Sequence, residues 1–243
     1  MNNDKALDIE QVKVENLIYN EINSTNDKLI IPIKYKEKSK IKDFIIQSPS
    51  FINIKLLNVK KKYVELYIPL VGKKEKKINI FTDLVEKIEK KVIYDAHINS
   101  SSWFKNKSNQ KLSIESNGKY SYRKIIKKTL PEGLSKEIEI DNYKKFIKLK
   151  ICNDKLNKTI INYNNKNIKL EEIPDKSWVK IIIQFNSLVI RNNYFEIFIK
   201  PLIISFSPID NLIVESRIIR NNVDVNMPDT ENLSEESSEC FVF

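Results

Sequence analysis

Two long apolar segments in the last third of the chain constrain its fold more than any other feature. Ser177–Ile190 (SWVKIIIQFNSLVI) and Tyr194–Phe206 (YFEIFIKPLIISF) are rich in β-branched and aromatic residues, which favour extended strands. Only Arg191-Asn192-Asn193 separates them, and asparagine tolerates the backbone conformations of tight turns. The two segments therefore predict a long β-hairpin.

Shorter segments of the same kind occur earlier in the chain. We predict further strands at Leu29–Tyr35, Phe51–Val59, Tyr63–Val71, Phe146–Ile151, Thr159–Tyr163 and Ile168–Glu172. The last two flank Asn164-Asn165-Lys166-Asn167, which predicts a second hairpin turn.

One stretch has helical spacing. The segment Asp83–Ile93 places Leu84, Val85, Ile88 and Val92 on one face. Asp83 with Glu86 three residues later matches a capping box. We therefore predict a mainly β fold with one clear helix.

Composition excludes several kinds of active site. The chain has 3 Gly, 1 His and 2 Cys, too few for a glycine-rich phosphate loop, a His-based triad or a zinc module. A magnesium nuclease built on Glu171, Glu172 and Asp154 remains an alternative, but neighbouring carboxylates on a strand point to opposite faces. We expect no enzyme, no metal and no cofactor.

Charge divides the chain unevenly. The last basic residue is Arg220, and residues 224–243 carry six acids, so that this tail holds −6 and residues 1–223 hold +16. Lysine, isoleucine and asparagine dominate the composition, as in proteins of AT-rich genomes, but such drift does not predict a basic body with an acidic tail. We expect residues 1–27 to be an extension, residues 28–223 a β-rich nucleic-acid-binding domain, and residues 224–243 a disordered tail.

Residues 105–145 lack clear periodicity, and we interpret them as a long basic loop with short ordered pieces. Single-stranded nucleic acid needs cations for its phosphates and exposed aromatic faces for its bases. Tyr120 and Tyr122 alternate and would share one face of an extended segment. The candidate contact residues are Trp103, Lys119, Tyr120, Tyr122, Arg123, Lys124, Lys127, Lys128, Lys148 and Lys150. A solvated loop with its tyrosines packed on the core is the alternative.

Lys148 and Lys150 should line one face of their strand, opposite Ile147, Leu149 and Ile151. A cationic strand face is what an oligonucleotide-binding barrel presents. The solvent side of any amphipathic strand would look the same.

The order of these elements resembles that of a known family. The helix, then Asn99-Ser100-Ser101-Ser102-Trp103-Phe104, the tyrosine and lysine segment and the final hairpin are similar to the single-stranded DNA-binding proteins of large cytoplasmic DNA viruses or related cytoplasmic linear plasmids. The tail resembles the acidic, Phe-terminated tails of bacterial and phage replicative single-stranded DNA-binding proteins. The residues that carry the likeness are Glu235, Glu236, Glu239 and Phe243. With Phe241 they form the expected partner-binding tail.

The resemblance implies a β-barrel that is OB-fold-like. It also implies a sequence-independent single-stranded DNA-binding protein that supports DNA replication in the cytoplasm and recruits replication proteins through its tail. An RNA-binding, transcription-associated module and a structural or scaffolding virion protein remain open alternatives. The first twenty residues lack an apolar core and no run of about 18 apolar residues occurs, so we expect no secretory signal and no membrane helix. The 2 Cys are expected to be free thiols.

Overall fold

The fold is known from a computed structural model. The structure describes residues 5–24, 28–54, 56–59, 63–104, 112–113, 120–130, 144–152, 159–191 and 194–209. The predicted acidic tail, its Phe-Val-Phe end and most of the loop over residues 105–145 lie outside these residues. All but one of the described residues belong to the compact unit Met1–Pro208.

The described chain forms strands and two helices. The strands are β1 (Leu17–Tyr19), β2 (Asn23–Ser24), β3 (Leu29–Glu37), β4 (Lys40–Asp43), β5 (Ile45–Gln47), β6 (Phe51–Asn53), β7 (Leu56–Val59), β8 (Tyr63–Pro69), β9 (Leu112–Ser113), β10 (Tyr120–Arg123), β11 (Ile126–Lys127), β12 (Phe146–Cys152), β13 (Ile160–Tyr163), β14 (Lys166–Asn167), β15 (Ser177–Ile190) and β16 (Tyr194–Pro208). The helices are α1 (Glu75–Ile98) and the short α2 (Ser100–Trp103).

The predicted long hairpin is confirmed as the centre of the larger sheet. β15 pairs with β16 from Ser177 opposite Pro208 to Ile190 opposite Phe195. Alternate side chains of β15 are buried from Ser177 to Asn186, as in a strand with one face toward the core, and the last four residues are all buried. Pro201 lies at one of the register shifts, which accommodates a residue that cannot donate to the ladder.

Each strand of this hairpin has several partners along its length. On its other edge β15 pairs in turn with β6, β5 and β3, all antiparallel. β16 pairs in parallel with β13 near its end and with β10 near its start. The sheet has 12 strands, with β1, β2 and β4 attached to β3, β14 to β13 and β9 to β10.

The smaller sheet is antiparallel, in the order β11-β12-β8-β7. Its centre is the pairing of β12 with β8, from Phe146 opposite Pro69 to Cys152 opposite Tyr63. β12 also lies against β16 of the larger sheet, so that the two sheets meet there.

The mainly β class with one clear helix is confirmed, but the barrel is not formed. Within the described ranges, the strand order of each sheet runs from one open end to the other without returning. The physical reason is that β15 and β16 divide their outer edges among several short strands, which leaves the ends of the sheet apart. The correct description is two open sheets with a helix.

The predicted helix exists but is longer at both ends. It begins at Glu75 after Lys74, which makes no side-chain cap. Asp83 therefore lies within the helix, where it is exposed, and is not its N-cap. The predicted capping box of Asp83 and Glu86 is wrong. The apolar stripe continues to Ile78 and Ala96, and burial of this whole stripe in the core lengthens the helix beyond its local signals.

The predicted turn after β13 is confirmed only at Asn164 and Asn165, which have positive φ of 47° and 62°. β14 (Lys166–Asn167) occupies the second half of the predicted turn and ends before the predicted strand Ile168–Glu172. Leu170–Glu172 forms a 3-10 turn in place of a strand, so Glu171 and Glu172 do not alternate across a sheet.

Candidate nucleic-acid interface

Residues 120–127, here called the crossing segment, connect the two sheets. At its start Tyr122 pairs with Phe195 and Arg123 with Glu196, both in β16 of the larger sheet. Three residues later Ile126 pairs with Ile147 in β12 of the smaller sheet. The segment therefore carries its side chains to the place where the sheets meet.

A cleft opens beside the crossing segment, and cations surround it. We call this cleft the basic recess. Its charged lining residues are Arg123, Lys124, Lys127, Lys148, Lys150 and Glu196. Its apolar lining residues are Ile125, Ile197, Phe198 and Ile199. Five of the ten candidate contact residues thus share one cleft, although they come from three strands and two sheets.

The alternation predicted for β12 is confirmed. Ile147, Leu149 and Ile151 are buried, and Lys148 and Lys150 are half-buried on the opposite face. Because β16 lies against β12, these lysines are not on an open solvent face and reach the basic recess.

Two glutamates hold the lysines of β12. Lys148 Nζ lies 3.3 Å from Glu65 of β8, and Lys150 Nζ lies 3.9 Å from Glu196 of β16. Glu65 also accepts hydrogen bonds from the Tyr67 hydroxyl at 2.9 Å and from the Asn58 amide at 3.1 Å. Burial opposes its ionisation, but the bond from Tyr67 and the charge of Lys148 outweigh this and lower the pKa of Glu65.

The crossing segment contributes the other cations. Lys127 is half-buried and donates to the carbonyl of Lys124. Its burial, followed by the charge of Lys148, lowers the pKa of Lys127. Arg123 is exposed, and its guanidinium carbon lies 3.3 Å from the ring centre of Tyr194, a cation–π contact that places it beside β16.

Glu89 of α1 fixes the crossing segment to the helix. It is buried, and its Oε1 accepts hydrogen bonds from the Tyr122 hydroxyl at 3.2 Å and the Ile125 amide at 2.5 Å. Burial is the main cause that raises the pKa of this carboxyl. The sequence analysis missed Glu89, although a glutamate four residues after Val85 on the apolar face of a helix was a visible signal.

Two candidate aromatic contacts are corrected by their burial. Tyr122 is 6% exposed, with its ring centre 5.2 Å from that of Phe195. Trp103 is also 6% exposed, and it packs edge-on against Tyr19 at 4.9 Å. Neither ring presents a free face for a base, because each is packed in the core. The sequence pattern of the strand did not indicate this burial.

The remaining candidates divide into two groups. Lys128 is exposed just after β11 and is not among the residues that line the basic recess. Tyr120 starts β10, but its side chain and the whole of Lys119 lie outside the described residues, as do Glu235, Glu236, Glu239, Phe241 and Phe243.

The alternative metal site is not assembled in the described ranges. There, no three His, Cys, Asp or Glu side chains form a group that could hold a metal ion. Asp154 is itself outside those ranges. His97 is exposed in the last turn of α1.

The sequence was compared with protein-family models and with curated proteins. No protein-family model matches the sequence, and no curated protein matches it either. Of the helices that the structure describes, none has the length and apolar character needed to cross a membrane.

Proposed function

We propose that this chain binds single-stranded nucleic acid, primarily DNA, without regard to sequence and through its phosphates. The observation that carries the proposal is the convergence of Arg123, Lys124, Lys127, Lys148 and Lys150 on one cleft between two sheets. Such a cluster destabilises the folded chain, because like charges repel. An anionic ligand offsets that cost.

The shape of the site favours a single strand over a duplex. Proteins that bind duplex DNA insert a projecting helix or ribbon into a groove about 12 Å wide. Here the cations instead lie in and beside a recess, which a flexible strand can approach closely enough for its phosphates to contact them. Recognition through phosphates carries no sequence information, so the proposed binding is independent of sequence.

The proposed contacts are mainly electrostatic. Tyr122 and Trp103 are buried, and we withdraw them as stacking platforms. Described aromatic rings near the cations are Tyr194 beneath Arg123 and Tyr63, whose ring centre is 5.5 Å from Lys150 Nζ. They hold the cations in place, so base stacking contributes less than phosphate neutralisation.

The acidic tail completes the proposal. Its −6 charge can compete with nucleic acid for the same cations, and its Phe-Val-Phe end can bind replication proteins. Following the family resemblance of the sequence, we propose a non-enzymatic role in DNA replication in the cytoplasm.

A salt titration tests the proposal. Binding of a labelled 30-nucleotide oligo-dT is followed by fluorescence anisotropy from 50 to 200 mM NaCl. Glu65 and Glu196 leave three of the five positive charges uncompensated. The logarithm of the binding constant should therefore fall with the logarithm of salt at a slope of about −2, about −0.7 for each charge neutralised. Duplex DNA of the same length should bind more weakly, and a matched oligo-U measures the preference for DNA. A flat salt response contradicts the proposed mode of binding.

A further inference from the structure

The basic recess is small for a nucleic-acid site. It encloses about 40 Å³, which is room for about three water molecules. A nucleobase or a sugar does not fit in that space, whereas a compact tetrahedral anion does. The recess therefore matches a single phosphate group and not a length of strand.

The charge of the basic recess exceeds what one internal phosphate supplies. Five cations line it together with Glu196, and Glu65 neutralises Lys148 from behind. The excess is three positive charges. An internal phosphodiester carries one negative charge, whereas a terminal phosphomonoester carries nearly two at neutral pH.

Lys127 lies in the basic recess among both cations and carboxylates. It is half-buried, and the cations Lys148 and Arg123 disfavour its charged form, while Glu196 and Glu89 favour it. The balance lowers the pKa of Lys127 below its ordinary value, with burial as the first cause. A dianion in the recess would raise the pKa of Lys127 again.

We infer that the basic recess selects a terminal phosphate, such as the 5′-phosphate of a nucleic-acid strand, over an internal phosphodiester. The inference rests on the proposed function and refines it. Arg123 supplies the planar donor pair that suits phosphate oxygens, and the lysines supply point charges around it. The same chemistry occurs on a strand end and on a free nucleotide, and the experiment distinguishes the two.

The experiment compares two dodecamers of oligo-dT that differ only in a 5′-phosphate or a 5′-hydroxyl, each labelled at the 3′ end. We expect the 5′-phosphorylated strand to bind the full-length protein about tenfold more tightly, the size of one added charge-assisted hydrogen bond. Equal affinities overturn the inference and leave the proposed function intact. If neither strand binds, both are overturned.

Variants locate the effect. Lys127→Gln and, separately, the exposed Arg123→Gln should each reduce the ratio between the two strands to less than threefold. Lys87→Gln, a matched charge change on the exposed side of α1, should leave the ratio unchanged. A ratio that survives both recess variants places the end-recognition elsewhere and overturns the inference.

Competition identifies the source of the phosphate. Thymidine 5′-monophosphate should displace the phosphorylated dodecamer when a free nucleotide suffices. Retained preference without displacement assigns the site to strand ends. Displacement by thymidine, which has no phosphate, contradicts the inference.

Discussion

The hydroxyl of Tyr122 lies 3.2 Å from Oε1 of Glu89, and both residues are buried. This hydrogen bond joins the crossing segment to α1 across 33 positions of the chain. It assigns Tyr122 to the framework that supports the basic recess and not to its surface.

Replacing Tyr122 by Phe separates these two roles. Tyr122→Phe removes one partner of a buried carboxylate and should lower the free energy of unfolding by about 1–3 kcal/mol, measured by urea denaturation. Affinity for oligo-dT should change less than twofold, since the ring contacts the core. A large loss of affinity without loss of stability would return Tyr122 to the binding surface.

The raised pKa of Glu89 has a consequence for stability. Because burial raises it above the ordinary 4.5, protonated Glu89 favours the folded state. This contribution is complete below pH 4.5 and is lost as pH rises through the higher folded-state pKa. The unfolding free energy of the wild type, relative to Glu89→Gln, should therefore decrease over that window.

The comparison with Glu89→Gln isolates one group. Other carboxylates, including Glu65 with its lowered pKa, titrate in both proteins and cancel from the difference. A difference that is constant or increases with pH contradicts the assignment.

The exposed cations of the crossing segment should determine the salt response. The double variant Arg123→Gln, Lys124→Gln should make the slope of log binding constant against log salt shallower by about 1.4, the value for two single-strand phosphate contacts. The control variant Lys87→Gln, Lys90→Gln removes the same charge from the exposed side of α1. If both double variants change the slope equally, binding follows net charge alone.

Glu196 should oppose nucleic-acid binding. It is the carboxylate that lines the basic recess, and it pairs with Lys150 at 3.9 Å. Glu196→Gln removes a repulsion of about 1 kcal/mol and should strengthen binding of oligo-dT about fivefold at 50 mM NaCl, with a smaller gain at 200 mM. Glu10→Gln changes the net charge equally at an exposed position and should have little effect. Weaker binding by Glu196→Gln would show that the carboxylate positions Lys150 for the ligand.

Deletion of residues 228–243 tests the competing tail. The shortened chain should bind oligo-dT as tightly as the full chain or more tightly, with the gain largest at low salt. Anisotropy titrations at two salt concentrations measure this. Loss of binding would show that the tail belongs to the binding site.

The sequence predicted those features that depend on local pattern. The hairpin of β15 and β16 follows from its continuous apolar and alternating character, and the faces of Lys148 and Lys150 follow from period-two geometry. The helix was predicted in place but not in length. Its first turn begins with the charged residues Glu75, Lys76 and Lys77. Burial of Ile78 and Phe81 stabilises this end of the helix through partners distant in sequence.

The candidate site shows the same division. Arg123, Lys124 and Lys127 could be chosen from a basic segment, but their approach to β12 depends on strand pairings with both sheets. The burial of Trp103 depends on Tyr19, 84 positions away in the chain. Nothing within either segment indicates these partners, which is why both aromatic rings were assigned to the ligand.

The double attachment of the crossing segment couples the site to local unfolding. β10 pairs with the larger sheet and β11 with the smaller one. Local unfolding that detaches either strand would therefore separate the cations of the crossing segment from those of β12. A ligand bound only to the intact arrangement raises the free energy of that opening by RT ln(1 + [L]/Kd), where [L] is the free ligand concentration. Binding of the ligand should then slow amide hydrogen exchange in both sheets, including strands that do not contact the ligand.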